Sequence, residues 1–233
     1  MEQKPRQAAT PFAIGTRMKD AQLSLLRDSR RSDGHRIHSL PSVISAVTLG
    51  LACNLTALRD VESMTSVLSR TVRRMFGIYG RISDTTMSEG LESACPRQLH
   101  QCLVRMNLAE HRRGNLRPSK SLPGSVVALD GKHQATLSHH DLLLTARKVI
   151  RDWSRPLDAD DIERIVSGAF PNVQICRTED GRCYGLMRYH RVTLTSHPAH
   201  PCLLLEPIPG RTNEVGQAPD TVRRLLREYQ RST

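Results

Sequence analysis

The chain has 233 residues, enough for one large domain or two small ones. Hydrophobic residues make up 38% and aromatic residues only 3%, so a core must rest on Leu, Val, Ile and Met rather than on rings. Lys and Arg number 34 against 23 Asp and Glu; the net charge of +11 and pI of about 10.0 favour a polyanionic partner, because each phosphate contact releases condensed counterions.

Residues 1–38 hold Pro5, Pro11, Gly15 and Gly34, with Arg27, Arg30, Arg31 and Arg36 near the end, and read as a flexible or weakly helical basic arm. Residues 39–114 read as a helical domain for DNA binding or dimerisation. Pro41 suits the first turn of a buried helix carrying Val43, Ile44, Val47 and Leu51. From Thr56 to Met75, Leu58, Val61, Met64, Leu68, Val72 and Met75 recur at helical steps and predict one helix with a single apolar stripe. Its C-terminal end carries Arg70, Arg73 and Arg74, where cations suit the helix dipole. Gly77 and Gly80 interrupt the chain. Ser83 or Asp84 then caps a short helix with Met87 and Leu91 facing inward. Pro96 opens a longer helix with Leu99, Leu103 and Met106 on one face, ending in His111-Arg112-Arg113 before Gly114.

Pro118, Pro123 and Gly124 mark a linker over 115–124. The pattern then changes. Ser125 to Leu129 predicts a short apolar strand ending in Asp130-Gly131-Lys132. Helical segments are expected over Leu142–Trp153 and Asp160–Val166. Strands follow over Cys183–Ser196 and Cys202–Glu206, the first preceded by a hairpin turn at Asp180-Gly181. An amphipathic helix over 218–230 closes the chain.

Several chemistries lack support. No Gly-rich phosphate loop is present, and no Ser-His-Asp or Cys-His arrangement is legible. None of the six cysteines is spaced as CxxC, and no signal-peptide pattern precedes them, which suits free thiols in a reducing cytosol. The histidines, His139-His140 and His197/His200 included, lack zinc-ligand spacing. The longest apolar stretch, Leu40 to Cys53, is too short and too rich in Ser and Thr to span a bilayer.

The strongest local feature is Val126-Val127-Ala128-Leu129-Asp130-Gly131-Lys132. A strand fixes the carboxylate of Asp130, and a hard divalent ion takes such oxygen donors. Read alone, Asp-Gly after a strand is also an ordinary turn. The segment resembles the first catalytic Asp motif, IAIDGK, of insertion-sequence DDE transposases. Three further stretches agree with that family in order: Arg81-Ile82-Ser83-Asp84-Thr85-Thr86-Met87 is similar to its "iSdtT" helix start, Tyr189–Leu194 to its second strand, and Leu203–Glu214 to its third strand and its exit ending in Asn-Glu. The likeness spans residues 40–233.

What the resemblance implies is an α/β protein: the N-terminal helical domain followed, over 125–233, by an incomplete RNase H-like mixed sheet. It implies DNA transposition as the family activity. Asp130 is the metal-binding catalytic acid for Mg²⁺ or Mn²⁺ in a complete enzyme, and the second Asp and later Glu are expected beyond Thr233. This chain is therefore expected to bind DNA without a complete catalytic triad. DNA contacts are assigned to Arg70, Arg73, Arg74, Arg112, Arg113 and Lys132. Asn213 and Glu214 either lie near the metal or DNA, or cap the last helix. The expected partners are DNA and a second or full-length transposase copy, with no membrane and no small-molecule substrate, in a bacterial cytoplasm at the nucleoid. The alternative is a non-catalytic DNA-binding or regulatory protein derived from a transposase remnant.

Overall fold

The computed structural model describes residues 11–30, 37–117 and 125–229. The chain separates into two compact units, the first ending at Arg113 and the second beginning at Gly114. Among the described residues the first is helical and the second combines helices with an antiparallel sheet. No described helix is long and apolar enough to cross a membrane. None of the six cysteines is in a disulfide. Residues 1–10 and 31–36 of the expected arm, and 118–124 of the expected linker, lie outside the described residues.

The first unit holds α1 (Pro11–Asp20), a 3-10 turn at Leu23–Leu25, α2 (Leu40–Ala52), α3 (Leu58–Val67), α4 (Arg70–Phe76), α5 (Asp84–Ser93) and α6 (Pro96–Arg112). The stretch expected as an arm is more ordered than its composition suggests. Ala21, Leu23 and Leu26 are buried against Leu40, Ile44, Ala94 and Cys102, so burial offsets the ordering entropy of this segment. The main core gathers Val43, Ala46, Leu49, Val61, Phe76, Ile78, Ile82 and Met87. Leu51 and Leu91, both expected inside, are 61% and 37% exposed, while Leu49 joins the core.

The single helix expected over 56–75 is two. Leu68 adopts an extended conformation and the Ser69 hydroxyl accepts from the amide of Val72, starting α4 afresh. The Arg73 guanidinium donates to the carbonyls of Thr65 (3.2 Å) and Ser66 (2.8 Å), satisfying the exposed end of α3. The stripe Leu58, Met64, Leu68, Val72 and Met75 still packs on one core, so the apolar period survives the break. Gly77 ends α4 in the left-handed region at φ 65°, the conformation glycine adopts without a Cβ clash.

The second unit holds β1 (Val127–Leu137), α7 (His139–Ile150), α8 (Ala159–Ala169), β2 (Val173–Arg177), β3 (Cys183–Leu194), β4 (Cys202–Pro207) and α9 (Glu214–Tyr229). β3 is the spine. β1 pairs along one of its edges, while β2 and β4 share the other, every pairing antiparallel. Burial switches parity along β3. Cys183, Gly185 and Met187 belong to the face covered by α7 and α8, whereas His190, Val192 and Leu194 belong to the face covered by α9.

Four expectations are corrected here. The strand carrying Asp130 does not end there: it continues to Leu137, because Gly131–Leu137 pairs with β3 opposite His190–Gly185, with one bulge at Gln134. β2 was not foreseen; its five residues carry only two strand-favouring side chains, Val173 and Ile175, and depend on β3 for their hydrogen bonds. Finally, α9 begins at Glu214 rather than Ala218, because the Asn213 side chain accepts from the amide of Gly216 at 2.7 Å and starts the helix ahead of Pro219. α7 ends at Ile150, short of Trp153.

Candidate functional site

β1 and α9 bring together the two segments that carry the resemblance. Asp130 lies opposite Arg191, Gly131 opposite His190 and Lys132 opposite Tyr189. Alternation therefore sends Gly131 and Leu129 to the face under α9, and Asp130 and Lys132 to the other face with Arg191. The carboxylate of Glu214 lies directly on Gly131, where a Cβ would collide with it. Glycine is thus what lets the first residue of α9 settle on β1. The Asn213 side chain caps α9, accepting from the amide of Gly216. Glu214 is an acid in the first turn as well as a neighbour of Gly131.

Asp130 forms an ion pair with Lys132 at 2.6 Å, both side chains 56% exposed. Among the described residues no group of three or more His, Cys, Asp or Glu is gathered as a metal site. Asp130 offers one carboxylate, already facing a lysine, and Glu214 lies on the opposite side of the strand. These residues do not by themselves fit a divalent ion. Lys132 is committed first to Asp130, so its availability to a phosphate depends on exchange of that pair.

Beneath α9 lies a polar row that sequence reasoning did not identify. His190 is fully buried; its Nδ1 stands 2.8 Å from Thr221 Oγ1, and its Nε2 has no hydrogen-bond partner among the described residues. Glu206 pairs across the ladder with His190 and forms an ion pair with Arg224 of α9. Burial pushes the Glu206 carboxyl above its ordinary value, against the opposing pull of Arg224. One signal was available: His190 alternates with Val192 and Leu194, placing it on a buried face.

The basic residues of the first unit divide into two sets. Arg70 and Arg74 lie one turn apart on the exposed side of α4, and Tyr79, just past Gly77, is 80% exposed. Arg112 is also exposed. Arg73, by contrast, caps α3. Arg113 donates to Asp20 at 2.8 Å and to Glu110 at 3.0 Å; the hydrogen bond to Asp20 raises the arginine and holds the Asp20 carboxyl below its ordinary range. The segment 81–87 is anchored from α3. Glu62, nearly buried, accepts from Arg81 Nε at 2.8 Å and from the amide of Asp84 at 3.1 Å, while Thr65 accepts from the amide of Ile82 at 3.1 Å.

No protein-family model, curated protein or solved structure matches this chain.

Proposed function

We propose that this protein is a DNA-binding protein of the DDE transposase type, with transposition as the family activity and this chain lacking a complete triad. The observation that carries the reading is the meeting of two segments distant in sequence: Glu214, at the Asn-Glu exit, rests on Gly131 of the Asp-Gly-Lys strand. The succession β1, β3, β4 and α9 follows the order that an RNase H-like sheet would take, and a charge of +11 supports a phosphate backbone as partner. In this reading Asp130 is the family's first acid. Arg70, Arg74 and Arg112 are the first unit's phosphate contacts, while Arg73 caps α3 and Arg113 pairs with Asp20 and Glu110. A second copy of the chain, or a full-length transposase at the nucleoid, is the expected protein partner. Mg²⁺ or Mn²⁺ would enter only when further acids join Asp130.

The test is binding of a labelled DNA duplex followed by anisotropy across a salt series. Affinity should fall linearly with the logarithm of salt, and an affinity indifferent to salt would overturn the DNA reading. The chain should not cut or join DNA in Mg²⁺. Strand transfer that disappears in Asp130→Ala would show a complete active site and refute the incomplete-triad part.

The Asp130–Lys132 pair favours a second reading, a non-catalytic DNA-binding or regulatory protein derived from a transposase. Protection of DNA ends that is undiminished in Asp130→Asn would support it.

A further inference from the structure

One flank of α9 faces a cleft of about 480 Å³ lined by Glu206, Asp220, Arg223, Arg224, Leu226 and Arg227. The arginines at 223, 224 and 227 fall on neighbouring helical positions, so their guanidiniums converge on one opening. Two are engaged: Arg223 pairs with Asp220 at 2.7 Å, and Arg224 with Glu206. Arg227 has no ion-pair partner among the described residues. Three guanidiniums against two carboxylates leave the cleft one positive charge.

We propose that this cleft binds one phosphodiester of a nucleic-acid backbone, with Arg227 as its main contact and Arg223 as a second donor. A singly charged phosphodiester matches the surplus charge. Guanidinium forks fit its two non-bridging oxygens. Arg224 is a positioning residue: it ties α9 to β4 through Glu206. The inference rests on the nucleic-acid reading above, but it concerns the second unit and uses none of the residues assigned to DNA there.

The experiment uses the full chain and a fluorescein-labelled duplex in a salt titration. It compares the parent with Arg227→Gln, Arg223→Gln/Arg227→Gln and Arg70→Gln/Arg74→Gln, each checked for fold by circular dichroism. Arg227→Gln should weaken binding several-fold and reduce the salt slope by about 0.9, as expected for one lost phosphate contact. Arg223→Gln/Arg227→Gln should weaken binding further. Parental affinity and slope in both α9 variants would overturn the proposal, even where Arg70→Gln/Arg74→Gln weakens binding and leaves the broader reading standing. A parent that binds no DNA would overturn both. Inorganic phosphate, added at matched ionic strength, separates the two sources of the ligand. Phosphate bound through Arg227, with duplex affinity unchanged in Arg227→Gln, would assign the cleft to the free ion and refute the backbone proposal.

Discussion

Replacing Thr221 by Val tests how α9 is held on the sheet. Thr221 and His190 are both fully buried, and among the described residues their 2.8 Å contact is the one hydrogen bond of the imidazole, whose Nε2 has no partner there. Valine keeps the shape of threonine and removes only the hydroxyl. Both ring nitrogens would then be buried without a described partner, and an orphaned buried polar group costs about 1–3 kcal/mol. For a unit of this size that lowers the melting temperature by at least about 4 °C. Trp153, the single tryptophan, lies in the second unit with Arg147 5.9 Å from its ring centroid, so its fluorescence follows that unit during heating. The double variant His190→Leu/Thr221→Val should lose less than the sum of the single losses, since both partners become apolar together. A melting temperature unchanged in Thr221→Val, or strictly additive losses in the double variant, would refute the account of His190 as held by Thr221.

Other outcomes follow from the same structure. Glu206 has a carboxyl raised above its ordinary value, so its stabilising contribution is fully present below that value and is lost as pH rises through the folded one. The melting temperature of Glu206→Gln minus that of the parent should therefore be more positive at pH 7 than at pH 4, and a flat difference would contradict the burial effect. Glu62→Ala removes the acceptor of Arg81 and of the Asp84 amide; denaturant titration of the first unit should show a loss of about 1–3 kcal/mol, against no more than about 0.5 kcal/mol for the exposed Arg59→Ala. Ser69→Ala should cost about 1 kcal/mol through the lost α4 cap, measured the same way. Lys132→Gln should leave stability within about 1 kcal/mol, because the ion pair with Asp130 is half exposed. A larger loss would mean that the pair holds β1 in place.

Local chemistry was legible where a residue carries its own instruction. Ser83 caps α5, Pro96 opens α6, Gly181 turns the β2–β3 hairpin at φ 77°, and the apolar stripe from Leu58 to Met75 marks the buried side of its region. These signals act within a few residues, through backbone donors and acceptors that need no distant partner. The break at Leu68-Ser69 was hidden because the stripe continues across it, and period alone does not distinguish one helix from two packed on the same core.

Long-range pairing decided the rest. Asp130-Gly131-Lys132 has the composition of a turn and becomes mid-strand because β3 extends far enough to pair with it. His190 and Glu206 become a buried row only when β3, β4 and α9 meet. The sequence by itself determined the basic charge, the caps, the apolar periods and the order of the segments that resemble a transposase. Only the tertiary structure decided that Glu214 rests on Gly131 while Asp130 faces the other side with Lys132 and Arg191. Which face of an extended strand a side chain occupies depends on register, and register is set by a partner strand that lies about sixty residues away in the chain.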